Sequence, residues 1–149
     1  MSERFKLIAT VHLFFRRGEE ILLLRRANTG YEDGKYGLVA GHVDGNESLT
    51  QAMIREAKEE SGVDVAAEDL VFKMVMHRRQ SDERIDFFFE AKRWSGEISN
   101  AEPRKCDDLS WFPLDQLPKN IIPYIREAVQ SYRDGVFYSE FGWEQGGRP

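Results

Sequence analysis

One helix-forming segment constrains this chain more than any other feature, because it gathers negative charge where an isolated helix tolerates it poorly. Ser48 stands three residues before Gln51, a capping-box spacing that predicts a helix beginning at about Leu49. Good helix formers continue to Glu60, and Gly62 supplies the stop. The segment therefore predicts one short helix with defined ends.

Glutamates crowd one side of this helix in its second half. Glu56, Glu59 and Glu60 fall within one narrow wedge of a helix that turns ~100° per residue. Like charges at these spacings cost on the order of 0.2–0.5 kcal/mol per pair, and the last turn of a helix favours cations instead. One interpretation is a solvent-exposed face whose negative charge is partly neutralised by Arg55 and Lys58. The other interpretation is a bound cation, whose positive charge would make the clustering of the glutamates favourable.

The spacing around the glutamates favours a bound cation. Gly41 is followed after five residues by Glu47, and after seven more by Arg55-Glu56; the chain then continues AKEESGV to Val63. This segment resembles, position by position, the signature of the Nudix hydrolases, G-x5-E-x7-R-E-U-x-E-E-x-G-U, where U is apolar. The resemblance implies a Nudix fold and an enzyme that cleaves phosphoric anhydride bonds. The signature is silent about the substrate.

The resemblance implies a metal site on the acidic helix. Glu56, Glu59 and Glu60 correspond to the metal-binding, catalytic glutamates, and Glu56 or Glu60 is also a candidate for activating water. Carboxylates are hard oxygen ligands that suit Mg²⁺, the predicted cofactor, with Mn²⁺ as the alternative.

Three further positions of the signature are predicted to support that site. Arg55 is expected to orient the glutamates. Glu47 braces the preceding loop through Arg55 or contacts the metal indirectly, unless it only compensates charge at the helix N-terminus. Gly41 lies in the loop whose carbonyl is expected to bind metal, although Ala40 replaces a glycine common in the family.

Two positions outside the signature complete the expected metal and substrate contacts. Glu102 is the predicted outer metal ligand, with Asp107 and Asp108 as rivals. Arg25 and Arg26 end a strand where MutT-like members carry a substrate-binding arginine. Alternation along a strand turns only one of the two arginines into a cleft, and Arg26 is preferred.

A downstream asparagine and a tyrosine-bearing loop leave their alternatives open. Asn120 resembles the MutT position that contacts the purine, but it is also a good N-cap for the last helix, which is the favoured interpretation. Tyr31 and Tyr36, in a glycine-bearing loop, line the substrate cleft or pack on the surface.

Alternating apolar runs predict the remaining architecture. Mixed strands with one helix early and one late, over about residues 120–135, favour an α/β fold in which a mixed sheet is sandwiched between helices. The whole chain, 1–149, is expected to form a single Nudix domain with an aromatic-rich tail over about residues 136–149. That tail packs across the sheet or onto a second subunit, as in a homodimer. Strand signals occupy residues 7–15, 20–26, 36–47, 70–79, 83–94 and 108–114.

Composition excludes several classes of protein. A chain of 149 residues can bury one core of its own, and no apolar run reaches the ~18 residues of a membrane span. The net charge of −5 disfavours nucleic acid as a partner. The single cysteine, Cys106, excludes an internal disulfide and favours a reducing cytoplasm.

Elimination within the resemblance favours a MutT-like substrate. The region after the signature, VMHRRQSD, lacks the proline typical of ADP-ribose hydrolases and the tyrosine typical of dinucleoside polyphosphate hydrolases. The expected substrate is therefore a nucleoside triphosphate or a related nucleoside diphosphate derivative. An ADP-ribose or sugar-nucleotide pyrophosphatase is one alternative, and a non-catalytic module that senses a nucleotide is another.

Overall fold

A mixed β-sheet packed between two α-helices forms the body of the protein. The computed structural model describes residues 3–143. The helices are α1 (Leu49–Ser61) and α2 (Pro123–Asp134). The strands are β1 (Ile8–Arg17), β2 (Glu20–Arg26), β3 (Tyr36–Gly37), β4 (Val39–His42), β5 (Leu70–Arg79), β6 (Glu83–Ala91), β7 (Cys106–Pro113) and β8 (Tyr138–Phe141).

Strand β1 lies at the centre of the sheet. It pairs antiparallel with β4 and parallel with β6, while β5 joins β6 antiparallel. The C-terminal end of β1 continues into β2, which pairs with both β3 and β7. The mixed sheet between helices confirms the predicted fold class.

Alternation along β1 divides the core into two layers. Leu13 and Phe15 point to the α1 side, where they share a buried cluster with Met53. Phe14 points to the opposite side and packs in the cluster that contains Ile125 of α2. Because each face of the sheet is covered by one helix, both layers are almost free of solvent.

The ends of α1 lie where the sequence predicts them. The Ser48 hydroxyl accepts a hydrogen bond from the Gln51 amide at 3.1 Å, and the Gln51 side chain accepts one from the Ser48 amide at 2.7 Å. Gly62 ends the helix in the left-handed region, at φ 77°. Within residues 3–143, no helix is both long and apolar enough to cross a membrane.

The predicted cap of the last helix is wrong. Helix α2 begins at Pro123, and Ile122 occupies the N-cap position without a side-chain cap. The Asn120 amide instead donates to the carbonyl of Gly34 at 2.9 Å. Proline at the first helical position sets φ and lacks the amide that a cap would satisfy, so the helix starts there without help from Asn120.

Part of the aromatic tail adds a strand that the sequence did not predict. Residues Tyr138–Phe141 form β8, which pairs parallel with β5 at the edge of the sheet. This part of the tail extends the edge of the sheet, and Phe141 packs against the core cluster on the α2 side. The packing of the tail across the sheet or onto a second subunit stays a prediction. The remainder of the predicted tail, residues 144–149, lies outside the described residues.

Truncation of a core phenylalanine should destabilise the protein strongly. Phe14 is fully buried and stacks on Tyr132 with ring centroids 4.2 Å apart. We expect Phe14→Ala to lower the free energy of unfolding by about 3–5 kcal/mol, measured by urea denaturation. Phe5→Ala is the matched control, because Phe5 is 71% exposed and should change stability by less than about 0.5 kcal/mol. Equal effects of the two substitutions would contradict this packing.

Candidate active site

The predicted glutamates line a single cleft of about 530 Å³ at one end of the sheet. Glu56, Glu59 and Glu60 reach it from α1, and Glu102 reaches it from the segment before β7. The cleft is also lined by β4 and by residues of β1, β5, α2 and the loop after β2. Its other polar and charged residues are Thr10, His12, Arg26, Asn28, Thr29, Tyr31, His42, Asp44, Arg78, Arg84, Lys105 and Tyr124.

Arg55 connects helix α1 to the segment that precedes it. Its guanidinium donates to both carboxylate oxygens of Glu47, at 3.1 and 2.8 Å, and to the carbonyl of His42 at 3.1 Å. Its remaining nitrogen donates to Glu56 at 2.8 Å and lies 3.4 Å from Glu59. The predicted orienting role of Arg55 therefore has a geometric basis, because one cation holds two helical glutamates and the turn before them.

Glu47 braces the turn and does not line the cleft. Besides binding Arg55, its carboxylate accepts a hydrogen bond from the amide of Asp44 at 2.8 Å. These contacts lower the pKa of Glu47, first through Arg55 and then through the Asp44 amide. Of the three roles considered for Glu47, which are bracing, indirect metal contact and charge compensation, these contacts are those of the bracing role.

Gly41 and Ala40 lie in a strand, which corrects the expectation that they occupy a loop. Both belong to β4 and pair with β1. The Ala40 amide donates to Glu60 at 2.8 Å. A Cβ added at Gly41 would overlap the carboxyl group of Glu56, so a larger residue here would displace that carboxylate from its place beside the strand.

Burial shifts the protonation of two glutamates in the cleft. Desolvation raises the pKa of Glu56 to about 7, although its hydrogen bond from Arg55 opposes the shift. Desolvation raises the pKa of Glu60 to about 8, with a hydrogen bond from Ala40 acting against it and the charge of Glu56 acting with it. Ionising both carboxylates therefore requires additional positive charge nearby.

The donor set suits a hard divalent cation, although it is not closed around one. Within residues 3–143, no three His, Cys, Asp or Glu side chains stand together in a geometry that would already hold an ion. The chemistry nevertheless fits: Glu56, Glu59, Glu60 and Glu102 offer carboxylate oxygens to the same cleft, and Gly41 leaves room beside them. Mg²⁺ and Mn²⁺ prefer such oxygen donors.

Glu102 lines the cleft, whereas its two rivals do not. Asp107 binds Arg25 at 2.7 Å, and Asp108 accepts hydrogen bonds from Tyr36 and, at 2.9 Å, from Ser110. Neither aspartate lies in the cleft lining, so the position favours Glu102 as the outer ligand.

The predicted substrate-binding residues also divide into those that line the cleft and those that do not. Arg26 lines the cleft, while Arg25 points away to Asp107, as strand alternation requires. Asn120 lies outside the lining and binds the carbonyl of Gly34, so the structure does not bring it to the glutamates. Of the two tyrosines, Tyr31 lines the cleft, and Tyr36 is buried in the core.

Comparison with known proteins agrees with the predicted resemblance. A NUDIX domain pattern matches residues 6–132. The chain belongs to the Nudix family. This confirms the family that the signature predicts.

Individual relatives include both curated proteins and solved structures. The chain is 36% identical over 102 residues to the NAD-capped RNA hydrolase NudC of Pseudomonas aeruginosa, covering 68% of this chain and 34% of that protein. Against the NudC of Stutzerimonas stutzeri it is 32% identical over 124 residues, or 80% and 43% of the two chains. The chain thus spans well under half the length of these relatives. The crystal structure of a MutT NUDIX hydrolase from Burkholderia pseudomallei superposes with a TM-score of 0.78 at 27% identity, covering 85% and 98%.

Several residues of this Nudix cleft were missed by sequence reasoning. Arg78 and Asp86 form a buried ion pair on neighbouring strands, and Asp86 also accepts hydrogen bonds from Thr10 and, at 3.2 Å, from His12. Arg78 packs over the ring of Tyr124 at 3.7 Å. The only available signal was the basic cluster at residues 77–84, whose contacts depend on strand pairing that a single sequence does not give.

The shifted pKa of Glu60 should appear in the pH dependence of stability. In metal-free buffer the folded state keeps this proton up to about pH 8, whereas the unfolded chain releases it near the ordinary value of 4.5. Stability should therefore fall as pH rises from about 5 to 8, measured by urea denaturation at each pH. Glu60→Gln should flatten this dependence, and Glu59→Gln serves as the control for loss of one helical carboxylate. Parallel curves for the wild type and Glu60→Gln would contradict the shift.

Proposed function

We propose that this protein is a Mg²⁺-dependent pyrophosphohydrolase that cleaves a nucleoside triphosphate or a related nucleoside diphosphate derivative. The observation that carries the proposal is the division of charge in the cleft. Two glutamates with raised pKa values, the buried Glu56 and the half-buried Glu60, meet basic and aromatic side chains in one space of about 530 Å³. A phosphate chain attached to a planar heterocycle has both features that such a cleft would recognise.

Residues of α1 supply the acidic half. Glu56, Glu59, Glu60 and Glu102 would hold the cation, together with a main-chain carbonyl at Gly41. When bound, Mg²⁺ or Mn²⁺ offsets the charge of the phosphates and lowers the pKa of a bound water. The residues themselves orient the phosphorus for attack and accept the proton released by water.

Glu56 and Glu60 are the two candidates for accepting that proton. Glu56 is buried and Glu60 is half-buried, and each has one hydrogen-bond donor, Arg55 for Glu56 and the Ala40 amide for Glu60. Since each carboxylate has a second oxygen left for another contact, either can face the attacking water. Arg55 positions this pair and contributes no proton of its own.

Basic residues supply the other half. Arg26, Arg84 and Lys105 line the cleft, and Arg26 is the predicted phosphate contact. Arginine binds phosphate oxygens with more than one N–H group, which would hold the leaving phosphate in line with the attacking water.

A dinucleotide such as NAD is the second candidate substrate. It is favoured by the similarity to NudC proteins, described as NAD-capped RNA hydrolases, at 36% identity over 102 residues. NAD contains the same pyrophosphate link with a heterocycle on each side. The free small molecule is preferred over RNA as the partner, because the net charge of −5 gives no general attraction for a polyanion.

The single cysteine bears on the cellular compartment in which the proposed reaction takes place. Cys106 is a buried, free thiol, which is consistent with a reducing cytoplasm. The homodimer stays a prediction.

Removal of one cleft carboxylate should abolish most of the activity without unfolding the protein. We expect Glu59→Gln and Glu60→Gln each to lower kcat by about 100-fold or more in saturating Mg²⁺, while circular dichroism stays unchanged. Glu68→Gln, at an exposed glutamate outside the cleft, is the matched control with the same change of charge. Near-normal turnover in both cleft variants would refute the assigned roles.

A substrate screen distinguishes the two candidate substrates. Purified protein with Mg²⁺ or Mn²⁺ is incubated with nucleoside triphosphates, NAD, ADP-ribose and sugar nucleotides, and the products are separated by chromatography. Highest kcat/KM with a nucleoside triphosphate supports the first candidate, and highest kcat/KM with NAD supports the second. Absence of hydrolysis throughout would favour the non-catalytic sensing module.

A further inference from the structure

The loop after β2 carries an aromatic side chain whose role the hydrolytic chemistry does not explain. This cleft loop, residues 27–35, connects β2 to β3 and brings Tyr31 into the cleft lining. Tyr31 is 37% exposed, whereas the other aromatic residue of the cleft lining, Tyr124, is buried. An exposed aromatic side chain usually makes few contacts that fix its orientation. The contacts that hold Tyr31 in place therefore bear on its role in the cleft.

The backbone of the cleft loop is held rigidly around Tyr31. Asp33 accepts hydrogen bonds from the amides of Thr29 and Gly30, at 3.1 and 2.8 Å, which closes the loop on itself. Arg26 donates to the Tyr31 carbonyl at 2.7 Å and to the Thr29 hydroxyl at 3.1 Å. These bonds fix the main chain on both sides of the tyrosine.

The side chain of Tyr31 is fixed separately, at its hydroxyl. Arg78 donates to this hydroxyl at 3.2 Å, and the hydroxyl lies 3.4 Å from the Gln80 side chain. The Arg26 guanidinium lies 5.4 Å from the ring centroid. The ring is therefore held at its edge and against one cation, while more than a third of its surface remains open.

Arg78 is itself anchored by the most buried charge of the protein. Its guanidinium donates twice to Asp86, at 2.7 and 3.0 Å, and the two side chains are 3% and 0% exposed. Removing two charges from water costs free energy that their attraction does little more than offset. The value of such a pair is therefore geometric: it presents the remaining Arg78 nitrogen to the cleft loop in one orientation.

We propose that Tyr31 is the stacking platform for the planar heterocycle of the substrate, and that the Arg78–Asp86 pair is the positioning element that holds it. The proposal rests on the proposed function, because it assigns part of the same cleft. The ring that stacks on Tyr31 is a nucleobase or a nicotinamide, which share a flat π-face and a link to a ribose phosphate. Tyr31 then governs substrate selection, and the glutamates of α1 govern the chemistry.

Binding measurements test the platform independently of hydrolysis. Calorimetry with Ca²⁺ in place of Mg²⁺, the metal on which the proposed hydrolysis depends, compares three probes: ATP with an adenine, nicotinamide mononucleotide with a nicotinamide, and 5-phosphoribosyl 1-diphosphate with no heterocycle. We expect Tyr31→Ala to weaken binding of at least one heterocyclic probe about tenfold or more, and to leave the third probe within about twofold. The probe that is weakened identifies whether the adenine or the nicotinamide is stacked.

The tether from Arg78 is tested by Tyr31→Phe, which keeps the ring and removes only the hydroxyl. KM for the best substrate should rise about three- to tenfold with kcat unchanged, because the platform is present but less well oriented. Tyr138→Phe is the matched control, since Tyr138 is 49% exposed and lies outside the cleft lining.

The outcomes separate this proposal from the proposed function. Equal binding of all probes by wild type and Tyr31→Ala, or no measurable binding of either heterocyclic probe by the wild type, overturns the platform. A fall in kcat with unchanged KM in Tyr31→Phe overturns the positioning role. If the wild type binds the heterocyclic probes but hydrolyses none of the substrates, and Tyr31→Ala loses that binding, the platform is supported and only the hydrolytic function is contradicted.

Discussion

The guanidinium of Arg55 is the interaction on which the active site depends. Helix α1 carries three glutamates at spacings where like charges repel, and no local preference of the helix would hold them together. Arg55 contacts Glu56 and Glu59 on the helix and Glu47 on the turn before it. One planar cation with several donors thus fixes the helix against β4, which a lysine with a single ammonium group would not do.

Close approach between α1 and β4 then determines which carboxylates lose water. Gly41 has no side chain, so Glu56 lies directly against the strand, and the Ala40 amide reaches Glu60. Desolvation follows from this contact and raises both pKa values. The proposed metal site therefore depends on packing as much as on the type of ligand, since the same glutamates on a solvated helix would keep their water.

How much of this was predictable from the sequence depends on how local each feature is. The ends of α1 follow from Ser48, Gln51 and Gly62, which act within one turn of the helix, and they were predicted correctly. Strand β8 was missed because its four residues pair with β5, which is distant in the sequence, and no local turn connects the two strands. Asn120 was assigned as a cap from its residue type, but Pro123 sets the helix start instead.

The residues of the cleft also differ in whether they lie close together in the sequence or meet only in the fold. Apart from Glu102, the acidic half of the cleft comes from residues 41–60, a continuous segment within the signature that identifies the family. Its basic and aromatic half comes from β1, β2, the cleft loop, β5, β6, the segment before β7 and α2, which meet only in the folded sheet. Arg78 reaches Tyr31 across 47 positions of sequence and meets Asp86 through the pairing of β5 with β6. A short signature therefore identifies the family and the acidic side of the cleft, while the residues proposed to select the substrate depend on contacts that only the fold assembles.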